Sequence, residues 1–122
     1  MKAEELRIGN CVNYFNDGEH SLIRILDWGY AHLNDASSID YELLKPIPLT
    51  EEWLLKFGFE YFADGQYEKK FENLDFNWDK ECGLYIYLRT REDNIEANHI
   101  KHVHQLQNLY YALTQKELKY EG

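Results

Sequence analysis

A chain of 122 residues and 14.7 kDa is one domain or two very small subdomains, and burying about two thirds of its unfolded surface lets it fold without staples. A hydrophobic share of 44% and an aromatic share of 16% exclude a disordered chain. With 13 basic against 22 acidic residues the net charge is −9, which disfavours nucleic acid and suits a partner protein with a basic face.

The first residues, MKAEELRIG, are charged and lack an apolar core, so no signal peptide is expected. From Leu6 to Leu26 short apolar runs alternate with turn chemistry. Leu6 and Ile8 lead through Gly9-Asn10 into a strand from Cys11 to Phe15, and Asn16-Asp17-Gly18 returns the chain through Leu22 to Leu26. A turn at Asp27-Trp28-Gly29 precedes a strand from Tyr30 to Leu33. The tract from Asn34 to Asp40 reads as a polar loop, Tyr41 to Leu44 as a strand end or single turn, and Lys45 to Leu49 as an extended edge piece. Several short strands in so few residues predict a small SH3-like β-barrel over residues 1–49.

Pro46 and Pro48 mark the change to a second kind of sequence. Thr50 is placed to cap a short helix, with Glu51 and Glu52 in its positive first turn and Gly58 as its stop. After this joining helix the pattern is again that of strands, at Phe59 to Phe62, Tyr67 to Phe71, Phe76 with Trp78, and Leu84 to Arg89, with one more expected at Ile95 to Asn98. In the run from Leu84 to Arg89, Leu84, Ile86 and Leu88 share one face while Tyr85, Tyr87 and Arg89 share the other. Its apolar part, Leu84 to Leu88, is far too short for a membrane span, and no apolar run in the chain is longer. Ile100, Val103, Leu106, Leu109, Tyr110 and Leu113 then predict an amphipathic helix that buries its stripe on the preceding strands. The fold expected is α+β: an N-terminal barrel subdomain over 1–49, then an α+β subdomain over 50–122 in which an antiparallel sheet is packed by the C-terminal helix.

Residues able to carry chemistry are few. His99, His102 and His104 cluster before the last helix, and His99 with His102, aided by Glu96 or Asp93, could ligate zinc or iron; capping or solvated histidines are the simpler account, and a metal-dependent enzyme stays an outside alternative. Cys82 with His104 is a conceivable nucleophile and base but lies in no catalytic motif. Asp75, Asp79 and Glu81 read as acidic turns rather than an acid–base pair. Cys11 and Cys82, without a CxxC pairing, are expected to be buried free thiols. For binding, Trp28 and Tyr30 sit where SH3-like modules place a peptide or nucleic-acid face, and Gln105, Gln107 and Asn108 are expected to offer exposed amides from the last helix.

The stretches ELRIGN (5–10), LKPIPLTEEWLLKFGF (44–59) and VHQLQNLYYALTQKEL (103–118) resemble a family of small uncharacterised proteins from Bacteroides-type gut anaerobes and their phages or mobile elements. The resemblance implies no activity, cofactor or catalytic residue. In the family pattern a glycine follows ALT, where this chain has Gln115, so a left-handed helix stop is not expected with the same force here. The reading that results is a cytoplasmic, non-enzymatic protein-binding module of phage or mobile-element origin, without cofactor and without a membrane partner. Nucleic-acid binding through the barrel face is the alternative.

Overall fold

The computed structural model describes residues 6–14, 20–27, 30–33, 38–40 and 44–118, and the side chains of 6–13 and 44–118. The fold is α+β, with antiparallel sheets and two helices. The chain divides into two compact units, Met1–Pro48 with His102–Glu117 and Leu49–Lys101 with Leu118–Gly122. The C-terminal helix therefore groups with the first strands, whereas the sequence division into 1–49 and 50–122 places it with the second.

In the first unit β1 (Cys11–Tyr14), β2 (His20–Asp27), β3 (Tyr30–Leu33), β4 (Ser38–Asp40) and β5 (Leu44–Lys45) form one sheet in the order β4-β3-β2-β1-β5. No pairing joins β4 to β5 among the described residues, so an open sheet order stands where the sequence suggests a closed SH3-like barrel. A physical reason lies in β5: Pro46 and Pro48 lack an N–H to donate, and the strand is only two residues long. The polar tract expected to be loop contains β4, whose Ser38, Ile39 and Asp40 pair with His32, Ala31 and Tyr30. Long-range pairing overrides polar composition there.

The helix of this unit, α2 (Val103–Thr114), starts three residues later than its apolar stripe suggests. His102 is the N-cap in extended conformation (φ −130°), the Val103 N–H donates to the Ile47 carbonyl (2.8 Å), and the Gln105 side chain accepts from the His102 N–H (3.0 Å). At the other end Gln115 takes the left-handed conformation (φ 61°) and its N–H reaches the Tyr111 carbonyl at 2.8 Å. The stop therefore survives without glycine, in a conformation that is uncommon for a residue with a Cβ.

Facing β1, α2 presents amides rather than only apolar side chains. Gln107, 1% exposed, accepts from the Cys11 N–H (2.8 Å) and donates to the Gly9 carbonyl (3.1 Å) and the Cys11 Sγ (3.6 Å). The Asn108 Oδ1 accepts from Asn10 Nδ2 (2.8 Å) and Arg7 Nε (3.1 Å). Arg7 also donates to the Gln107 carbonyl (3.2 Å) and pairs with Glu117, and its guanidinium carbon lies 4.4 Å from the Tyr111 ring centroid. Val12, Val103 and Leu106 are fully buried in the same unit.

The second unit opens with α1 (Glu51–Lys56), which follows its sequence signals closely. Thr50 caps the Trp53 N–H, Glu51 and Glu52 occupy the first turn, and Gly58 (φ +86°) lets Phe59 and Gly58 donate back to the Leu54 and Leu55 carbonyls, each at 3.0 Å. Then come β6 (Glu60–Ala63), β7 (Gln66–Phe71), β8 (Leu74–Asp79), β9 (Gly83–Leu88) and β10 (Asp93–Glu96), each paired with the next. The last strand lies two residues earlier than expected. Alternation gives this sheet one apolar face: Tyr67, Phe76, Leu84 and Ile86 are all buried, as are Trp53, Leu54, Phe57 and Phe59 of the same unit.

Replacing Gln107 by alanine leaves the Cys11 N–H and the Gly9 carbonyl unmatched in a buried site. The expected cost is about 1–3 kcal/mol of folding stability, read as a lower urea midpoint with an unchanged slope.

Candidate functional site

Of the residues predicted to bind, only Gln105, Gln107 and Asn108 have described side chains, and Gln107 is buried rather than exposed. Trp28 lies outside the described residues, and of Tyr30 only the backbone position in β3 is described. Gln105 and Asn108 are half-buried, and both amides are engaged within the first unit, Gln105 at the helix cap and Asn108 with Arg7 and Asn10. Their hydrogen bonds hold the chain to itself.

Among the histidines, His99 is exposed and precedes α2, His102 caps the helix, and His104 is buried in its first turn. The rings of His102 and His104 stack with centroids 6.0 Å apart, an approach that the extended cap makes possible and two helical positions would not. Among the described residues no three side chains of His, Cys, Asp or Glu are grouped to hold a metal ion. Cys82 belongs to the second unit and His104 to the first. Both cysteines are free, Cys11 buried as expected and Cys82 exposed, contrary to expectation, because it sits in the turn between β8 and β9.

The strongest candidate is the other face of the second sheet. Register places Glu60 opposite Glu68, Glu68 opposite Asn77, Asn77 opposite Tyr85 and Tyr85 opposite Glu96, one row across all five strands. A neighbouring row runs from Lys70 through Asp75 and Tyr87 to Asn94. All of these side chains are exposed or half-exposed except that of Asp75, which is 15% exposed. Asp75 is matched by Arg89 (Oδ1 to Nε, 3.3 Å), Lys69 and Lys70 line one recess with Glu60 and Glu68, and Glu96 lies in a recess without a basic residue. Glu60 directly opposite Glu68 is a like-charged cross-strand pair, an arrangement that costs stability.

Asp79, at the end of β8, has a structural duty. Its Oδ1 accepts from the N–H groups of Glu81 (2.8 Å) and Cys82 (3.1 Å), and its Oδ2 from Gln66 Nε2 (3.0 Å). The two turn amides hold its carboxyl below the usual 3.8, with burial opposing and the Gln66 and Cys82 side chains assisting. Burial raises the phenol of Tyr67, with Glu51, Tyr61 and Asp64 adding to it, and burial alone raises that of Tyr110. The sequence signal that could have located this face is the period-two pattern of β7 to β9 read on its polar side.

A carboxylate with a depressed folded pKa stabilises above its unfolded value, and that contribution disappears as pH falls through the folded one. The turn from Asp79 to Gly83 is therefore expected to hold fully above 3.8 and to loosen below it, seen as acid-dependent amide exchange at Glu81 and Cys82. In Asp79→Ala the same amides are expected to exchange faster at neutral pH, with no acid step left. Comparison of the chain with protein-family models, with curated proteins and with solved structures finds no match.

Proposed function

We propose that the chain is a non-enzymatic protein-binding module, of the kind a phage or mobile element encodes, and that it meets a basic surface of its partner with the polar face of the second sheet. The row Glu60-Glu68-Asn77-Tyr85-Glu96 supports the reading. A sheet face open to solvent offers flat, preorganised area, and a tyrosine between carboxylates supplies a large contact at low entropic cost inside an acidic field. The carboxylate of Glu96, exposed at the far end of the row with no basic residue in its recess, sharpens the inference. The same carboxylates repel phosphates, which argues against nucleic acid as the ligand.

The test compares the wild type with a Glu68→Gln/Glu96→Gln variant as immobilised bait, after circular dichroism shows equal folding. The wild type is expected to retain a discrete basic protein at low salt and release it as salt rises. The variant is expected to retain it at least about tenfold more weakly, as a loss of about 1.4 kcal/mol in charge pairing gives. Equal retention by both baits, or retention of nothing but nucleic acid, overturns the proposal.

A further inference from the structure

At the β10 end of this face the second unit has a recess of about 330 Å³ lined by Cys82, Leu84, Tyr85, Asn94, Glu96 and Asn98. The lining has a particular chemistry. Leu84 is buried (1% exposed) and adds little open surface to the lining. Tyr85 is 37% exposed, which leaves part of its ring open to contact. Glu96 supplies a carboxylate directly across the strand pair from Tyr85, and Asn94 and Asn98 supply two amide carbonyls. No hydrogen bond or ion pair engages the side chains of Asn94, Glu96 or Asn98 among the described residues, and no basic residue lines the recess. Gly83 keeps the wall close: a Cβ there would stand 3.3 Å from the Cα of Asn98, and its φ of +87° suits glycine.

We propose that this recess receives the guanidinium of an arginine presented by the partner protein. The inference rests on the binding role given to the sheet face and names the side chain that the face selects. Three acceptor groups and a ring around one small volume match a planar cation with five donors. The Glu96 carboxylate takes two N–H groups as a fork, the Asn94 and Asn98 carbonyls take others, and the plane stacks on Tyr85. Lysine fits less well, because its compact ammonium has only three donors, is more strongly hydrated and does not stack. The volume is near the lower limit of small-molecule sites, about 300–1,000 Å³, which suits one side chain better than a nucleotide or other extended cofactor. Its surroundings agree, since the row leading to it carries Glu60 and Glu68 for the neighbouring basic residues of such a segment.

Two labelled peptides of equal charge separate this inference from the reading beneath it, one alternating arginine with glycine and the other lysine with glycine. Titrated against the whole chain at low salt, the arginine peptide is expected to bind about 3- to 10-fold more tightly. The preference is expected to vanish in Glu96→Gln and in Tyr85→Leu and to persist in Tyr85→Phe, which keeps the ring. In spectra of the labelled protein the side-chain amides of Asn94 and Asn98 are expected to shift with the arginine peptide. Equal binding of both peptides overturns the arginine recess and leaves the acidic binding face standing. Binding of neither overturns both. An arginine preference that survives Glu96→Gln and Tyr85→Leu, with the Asn94 and Asn98 amides unmoved, places the selective site elsewhere and also overturns the inference.

Discussion

The first unit depends on one arrangement, a row of amides on α2 that completes the backbone of the segment entering β1. Residues 7–11 turn at Gly9 (φ +98°) and leave polar groups that the sheet ladder does not use at that point. Gln107 answers the Cys11 N–H and the Gly9 carbonyl, and Asn108 answers Asn10, whose own Oδ1 accepts the Arg7 N–H at 2.7 Å. Asn10 and Gln107 are buried, and burial makes satisfaction obligatory: an amide in an apolar setting without partners costs more than its bonds return when made. Arg7 closes the network from the rim, combining an ion pair with Glu117 and a ring contact with Tyr111. An exposed ion pair alone would add little. Its value here is geometric, because one planar cation touches Gln107, Asn108, Tyr111 and Glu117 at once.

The second unit is organised differently, by alternation and turns. Each strand is joined to the next by a short connection, so its contacts are local in sequence. Phe76, fully buried, lies opposite Lys69 and Ile86, while its neighbours Asp75 and Asn77 point to the open face. The aromatic cluster Tyr61, Tyr67 and Trp78 runs across three strands on the apolar side, with ring centroids 5.8 Å and 6.2 Å apart. On β6 a bulge between Tyr61 and Ala63 interrupts the edge, and the strand is four residues long, two features that discourage uncontrolled edge pairing despite exposed Tyr61 and Phe62.

Local chemistry made the second unit legible. Thr50, the two glutamates and Gly58 delimit α1 through bonds between residues at most five apart, and the period-two pattern of β7, β8 and β9 survives unchanged. What escaped is what distant residues decide. Nothing near Ser38-Ile39-Asp40 marks a strand, since it is defined by pairing with β3. The start of α2 shifts from Ile100 to Val103 because His102 is held extended at a bridge to Pro48, more than 50 positions earlier. Gln107 and Asn108 looked available for the same reason: a polar side chain at a helix surface position is indistinguishable in sequence from one that has a partner about a hundred residues away. The left-handed stop at Gln115 shows the converse, a local rule bent where the bond to the Tyr111 carbonyl and that from the Lys116 N–H to the Thr114 hydroxyl fix the turn.

The titratable groups point the same way as the packing. Asp79 is lowered by turn amides, and Tyr67 and Tyr110 are raised by burial, so each shift follows from a structural duty rather than from a charge prepared for proton transfer. Against these engaged groups, Glu96, Asn94 and Asn98 differ in being polar, adjacent and unengaged among the described residues. A side chain bound to its own backbone cannot recognise another molecule without giving up that bond, so recognition falls to the acceptors left over. Among the described residues of the second unit, Asn94, Glu96 and Asn98 are three such acceptors at the β10 edge, beside a half-open tyrosine ring, and the proposed arginine would meet all three.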